Sequence, residues 1–179
     1  MFRYNYHPLK NKERSTLIFL ILFSALIRVP VILTLGDTGL EHEWKTIIEN
    51  LTKHGVFSNK NFDGFLIPNL FMPPLYAYYL YFFSLINLEE QSFVQLILYS
   101  QILLSSISIA VFYKINKIFF SEKISFFGAL IFSIFPLHVY ACAQISSISL
   151  QSFLTILFFY FFFQLIKKRN FLSIFSFSL

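Results

Sequence analysis

The chain has 179 residues, of which 56% are hydrophobic and 13% charged, with 26 Phe and a formal net charge of +5 at neutral pH. The charged share is about half that of an ordinary soluble domain, which excludes such a domain and places the chain in a bilayer. Its basic residues sit in short clusters flanking apolar runs, as membrane proteins arrange them, so no nucleic-acid partner is expected; the single cysteine, Cys142, excludes an intramolecular disulfide framework.

Residues 1–14, with Arg3, Lys10, Lys12 and Arg14, read as a cytoplasmic N-terminus. The apolar run 15–35 matches the roughly 20 residues needed to cross the hydrocarbon core and is the first expected span. It is longer than the apolar core of a signal peptide and contains Arg28 and Pro30, so it is taken as an uncleaved anchor. Arg28 lies about 10 Å of helix below the outer end of this span. An intramembrane charge is a functional candidate by default, able to pair with a loop acid or a lipid phosphate; the bland alternative is a side chain snorkelling outward.

Residues 36–91 are expected to form one external loop. The loop holds Asp37, Glu41, Glu43, Glu49, Asp63, Glu89 and Glu90, which leaves two of the chain's nine acids elsewhere. Within it, Trp44, Ile47, Ile48 and Leu51 recur at helical spacing and predict an amphipathic helix over about 41–54, with Trp44 at the membrane interface and Gly55 ending it. A second interface helix is expected over 73–88, entered through Pro73 and Pro74 and rich in tyrosine. Were that segment a span instead, the clusters Lys114/Lys117/Lys123 and Lys167/Lys168/Arg169 would fall outside, against the positive-inside rule.

Further spans are expected over 92–113, 124–142 and 148–166, joined by a cytoplasmic loop 114–123 and an external turn 143–147. A cytoplasmic loop 167–170 would lead into a fifth span beginning at 171–179, so the sequence reads as the N-terminal part of a larger protein. The fold class is therefore all-α, a polytopic transmembrane helix bundle with two interface-lying juxtamembrane helices in its first external loop. The second external turn offers Gln144, Ser147 and Gln151 as polar groups able to bind a sugar or a carrier head group, though none is a base at neutral pH. His138 and Cys142 stand four residues apart, but without further ligands they do not make a metal site.

An apolar first helix containing Arg, an acid just before an aromatic in "EWKTIIENLTKHGVFS", and "PPLY" opening a second aromatic helix together resemble the membrane glycosyltransferases of the GT-C superfamily. The likeness is to the branch that includes protein mannosyltransferases and aminoarabinose transferases, and it runs from about Leu17 to the C-terminus. The resemblance implies transfer of a sugar from a polyprenyl-phosphate donor to a lipid, glycan or protein acceptor on the external face of a membrane, here a bacterial inner membrane. It implies that an acid in the first external loop serves as general base. Glu43, immediately before Trp44, is the first choice and Glu41 the second. Many relatives carry Asp four residues before that aromatic, where this chain has Leu40, with Asp37 three residues upstream. Arg28, Asp37, Gln144, Ser147 and Gln151 are the candidates for binding substrate or lipid phosphate. Met72 stands where aminoarabinose transferases place Lys. No cofactor is assigned beyond a possible divalent cation, and membrane lipids are expected partners. The alternative reading is a non-catalytic relative acting as an accessory, lipid-binding subunit.

Overall fold

The computed structural model describes residues 11–62, 65–68 and 72–168. Its elements in chain order are α1 (Asn11–Leu35), α2 (His42–His54), β1 (Lys60–Phe62), β2 (Phe65–Ile67), α3 (Pro74–Ser84), α4 (Glu90–Phe119), α5 (Glu122–Ser133), α6 (Pro136–Tyr140), a 3-10 turn (Ala141–Ala143) and α7 (Ile148–Lys168). The two strands make a small antiparallel hairpin in which Lys60 pairs with Ile67 and Phe62 with Phe65. Everything else of regular structure is helical. The chain is an all-α transmembrane bundle: α1, α4 and α7 are each long and apolar enough to cross a membrane, and α5 with Pro136–Ala143 adds a fourth crossing when counted as one bent unit. Residues 171–179, where a fifth span is expected, lie outside the described residues.

α4 is the central post and packs on α1, α5 and α7. One buried cluster, built on Leu17, Leu20, Ile109, Tyr113 and Ala129, fills the end of the bundle where α1 begins. A larger cluster fills the opposite end, where Ile32, Val94, Ile97 and Leu98 meet α2, α3 and the 3-10 turn. Between them the helix contacts are lined by Ser24, Ser105, Ser108, Ser125 and Ser133, all buried. Small side chains at such contacts let helix backbones approach closely, the arrangement that stabilises helix pairs in lipid. α7 is peripheral: 6% of its apolar stretch is buried, against 56% for α4.

α2 has the expected apolar stripe, and Trp44, Ile47, Ile48 and Leu51 are all buried. The stripe faces protein. Tyr76, Ala77 and Leu80 of α3 cover it, and Trp44, 5% exposed, meets the Tyr76 ring edge-on at 5.1 Å. Trp44 is thus a packing residue between two helices, where periodicity alone pointed to the bilayer interface. Gly55 ends α2 in the left-handed conformation, φ 66°, and the Val56 N–H closes a bond to the Asn50 carbonyl. α3 is shorter than the 73–88 expected. Its 11 residues reach about 16 Å, roughly half the hydrocarbon core, and it stops at Ser84, before Asn87 turns the chain at φ 56°.

The apolar run 124–142 is two helices bent by 57°. The cause is local. Pro136 has no N–H and its ring excludes a helical carbonyl four residues back, while the residue before a proline is driven to extended backbone, as Phe135 shows with ψ 118°.

Candidate active site

The bend in the third crossing leaves polar backbone inside the bundle, and Arg28 of α1 is the side chain that meets it. Arg28 is wholly buried. Its Nη1 donates to the Ser24 carbonyl at 3.0 Å, the Ser24 hydroxyl at 2.6 Å and the Ser133 carbonyl at 3.0 Å, the last at the end of α5. Nε donates to Ser105 Oγ at 2.9 Å, and Nη2 to His138 Nδ1 at 2.8 Å. These partners are neutral acceptors drawn from α1, α4, α5 and α6, so the guanidinium is solvated by the protein in place of water. The side chain turns inward rather than snorkelling, and among the described residues it pairs with no loop acid. A guanidinium has no acceptor, so His138 must present the Nδ1 lone pair and carry its proton on Nε2. His138 lines a crevice of about 470 Å³ between the bent crossing and α7, together with Gln151, Ser152 and Thr155.

At the end of α1 the two polar turns are laced together. Gly36 turns tightly enough that a Cβ there would lie 2.3 Å from the Ile32 carbonyl oxygen. The next residue, Asp37, donates its N–H to the Ala143 carbonyl at 2.9 Å and accepts the Ile145 N–H on Oδ2 at 2.6 Å. Gln144 Nε2 reaches the Leu35 carbonyl at 3.3 Å, and Gln101 of α4 donates to the Gln144 carbonyl at 3.0 Å. Asp37 lines a crevice of about 170 Å³ beside Thr38, Gln91, Gln95 and Tyr99, over an apolar floor that includes Ile32 and Val94. Around this junction Tyr76 Oη, Gln101 Oε1 and Ser146 Oγ are buried without a hydrogen-bond partner among the described residues. Buried polar atoms left open in this way are uncommon and mark places where water or a ligand completes the bonding. Burial pushes the Tyr76 phenol above its usual range, with Tyr79, Asp37 and Glu41 adding to the effect, so this hydroxyl stays a donor.

Of the residues singled out from sequence, Asp37 and Gln144 come together here. Ser147 and Gln151 meet each other, with Gln151 Nε2 donating to Ser147 Oγ at 3.1 Å, beside the His138 crevice. Glu41 and Glu43 are exposed at the start of α2. Glu41 adds the smallest share of the upward push on the Tyr76 phenol. Lys45 is held by Glu90 at 2.8 Å, and this contact raises the pKa of its ammonium. Among the described residues no group of three or more His, Cys, Asp or Glu gathers in metal-binding geometry. Sequence reasoning missed His138 as the acceptor of Arg28, along with Ser105 and Gln101. The residues of the first pair lie 110 positions apart, and no local pattern joins them.

The dolichyl-phosphate-mannose-protein mannosyltransferase family matches residues 72–179. The chain belongs to that family. This mannosyltransferase-family member is accordingly a membrane glycosyltransferase of the GT-C type. The matched region begins at the entry to α3, so it takes in His138, Gln144, Ser147 and Gln151, while Arg28, Asp37, Glu41 and Glu43 precede it. No curated protein and no solved structure matches the chain.

Proposed function

We propose that the chain transfers a sugar from a polyprenyl-phosphate donor to a hydroxyl-bearing acceptor at the external face of the membrane, with Asp37 as the general base. The observation that carries this reading is the junction around Asp37. There an acid at the end of the first crossing is held by the Ile145 N–H, in a crevice furnished with neutral hydrogen-bonding side chains. Amide and hydroxyl groups such as Gln91, Gln95 and Tyr99 suit the alternating donors and acceptors of a sugar ring. Asp37 is favoured over Glu43 and Glu41 because the latter two are exposed and, among the described residues, neither carboxylate is held by an ion pair.

In the reaction the acceptor oxygen forms a bond to the anomeric carbon as the bond from that carbon to the phosphate oxygen breaks. The acceptor proton passes to the Asp37 carboxylate, and the polyprenyl phosphate departs as an anion. The Ile145 N–H fixes one carboxylate oxygen and leaves the other to take the proton, as a positioned base requires. The Tyr76 hydroxyl, still protonated near neutral pH, is a donor at the same junction.

The test is transfer from radiolabelled polyprenyl-phosphate sugars in membranes containing the protein. Asp37→Asn should lower kcat by roughly 10²- to 10⁴-fold, the usual contribution of a general base, and Glu41→Gln and Glu43→Gln by less than about tenfold. An Asp37→Asn protein transferring at the wild-type rate would remove Asp37 from this role. Loss in Glu43→Gln or Glu41→Gln instead would return the role to α2.

A further inference from the structure

The end of the bundle farthest from Asp37, separated from it by the 25 residues or about 37 Å of α1, holds a second crevice. It measures about 540 Å³ and lies where the start of α1, the end of α4 and the start of α5 meet. Lys12, Lys123, Glu122, Ser121 and Thr16 furnish its polar side, two cations against one carboxylate, and Phe126 and Phe127 its apolar wall. Tyr113 of α4 lines it too. That side chain is completely buried, and among the described residues its hydroxyl has no hydrogen-bond partner.

The cations here are not equivalent. Lys117 is paired with Glu13 at 3.2 Å and sits over the Tyr113 ring, 5.6 Å from its centroid. Lys12 is shared with Glu122 at 3.2 Å. Lys123 makes no ion pair among the described residues. A cation without a counter-ion, a second held by an exposed carboxylate and a buried phenol lacking an acceptor all call for one kind of occupant, an anion rich in acceptor oxygens. The phenylalanine wall narrows it further. Phe127 is 61% exposed on the apolar flank of the bundle, so the same crevice continues onto a lipid-facing surface.

We propose that this crevice binds the phosphodiester head group of an anionic phospholipid. Lys123 and Lys12 meet the phosphate oxygens, the Tyr113 hydroxyl donates a hydrogen bond to one of them, and an acyl chain lies along Phe126 and Phe127. Basic pockets between transmembrane helices at a membrane surface have the charge and depth for such head groups. The inference does not depend on the transfer reaction or on Asp37.

The experiment compares the purified full chain in nanodiscs of dioleoylphosphatidylcholine with nanodiscs that also contain dioleoylphosphatidylglycerol, reading retained lipid by native mass spectrometry. Phosphatidylglycerol should be retained preferentially. Lys123→Ala should weaken its retention about fivefold, the effect of removing one basic residue at a membrane surface. Tyr113→Phe should weaken it while leaving the thermal midpoint in pure phosphatidylcholine unchanged or higher, because the hydroxyl has no partner among the described residues. Glu122→Gln should strengthen retention by releasing Lys12. Equal retention of the two lipids by the wild type would overturn the proposal. So would wild-type retention in both Lys123→Ala and Tyr113→Phe. A third arm adds inorganic phosphate: full displacement of the lipid at millimolar concentration would show a soluble-anion site and reject the phospholipid.

Discussion

Arg28 shows how far one residue's role depends on what surrounds it. In the sequence it is a charge within an apolar run; in the fold it is a five-bond brace whose partners are three serines and a histidine. Among the described residues no carboxylate pairs with it and all five acceptors are neutral, so a change that removes those bonds exposes both sides of the arrangement. Arg28→Ala leaves the Ser133 carbonyl without its donor and opens a cavity, while His138 Nδ1 keeps the Ser105 hydroxyl at 3.2 Å. The expected cost is about 2–4 kcal/mol, seen as a lowered thermal midpoint of the detergent-purified protein. Arg28→Lys keeps the charge but lacks the planar fork that reaches acceptors on different helices, and should recover only part of that loss. If Arg28→Ala melts like the wild type, the brace contributes nothing to stability. The acids differ in the same way: Asp37, an ordinary loop residue in sequence, is oriented by backbone groups of a turn more than a hundred residues later.

At the level of elements, most boundaries have identifiable local causes. α2 stops because Gly55 takes a left-handed conformation that a Cβ disfavours, and no neighbouring atom lies within 4 Å of where that Cβ would be. Gly55→Ala should therefore cost about 1 kcal/mol through backbone strain alone, with Gly55→Asn costing less. Hydrogen exchange would register it as faster exchange across the last turn of α2, while exchange in α4 stays as in the wild type. The bend at Phe135 has a local cause in Pro136, and the proline is visible in the sequence. What it produces is not: the freed Ser133 carbonyl meets Arg28, and the chain beyond the bend returns Ala143 and Ile145 to Asp37. The stripe of α2 was legible as amphipathic. Whether it faced lipid or α3 was not, because an apolar face packs equally well on hydrocarbon or on protein.

For the whole molecule, the crossing of α1 places Lys12 and Glu41 at opposite ends of the bundle, and we propose the orientation that the positive-inside rule favours, with Lys12 in the cytoplasm. In a Cys142→Ser background, a membrane-impermeant maleimide applied to intact cells should label Glu41→Cys and spare Lys12→Cys. The reverse pattern would invert the orientation, and with it the side on which Asp37 works. The two crevices at the ends of α1 would then face the opposite compartments as well.

The sequence by itself determined the medium and the helical class. Those follow from hydropathy and charge summed over neighbouring residues, which need no knowledge of distant contacts. It also carried the family likeness, in the pattern at Pro73 where the matched region begins. Only the tertiary structure decided which acid meets the second turn, that Arg28 turns inward to His138, and that Trp44 is covered by Tyr76. Each of those is a pairing across tens of residues. It is set by how helices pack when every buried donor must find an acceptor, and that requirement leaves no periodicity in the chain to be read.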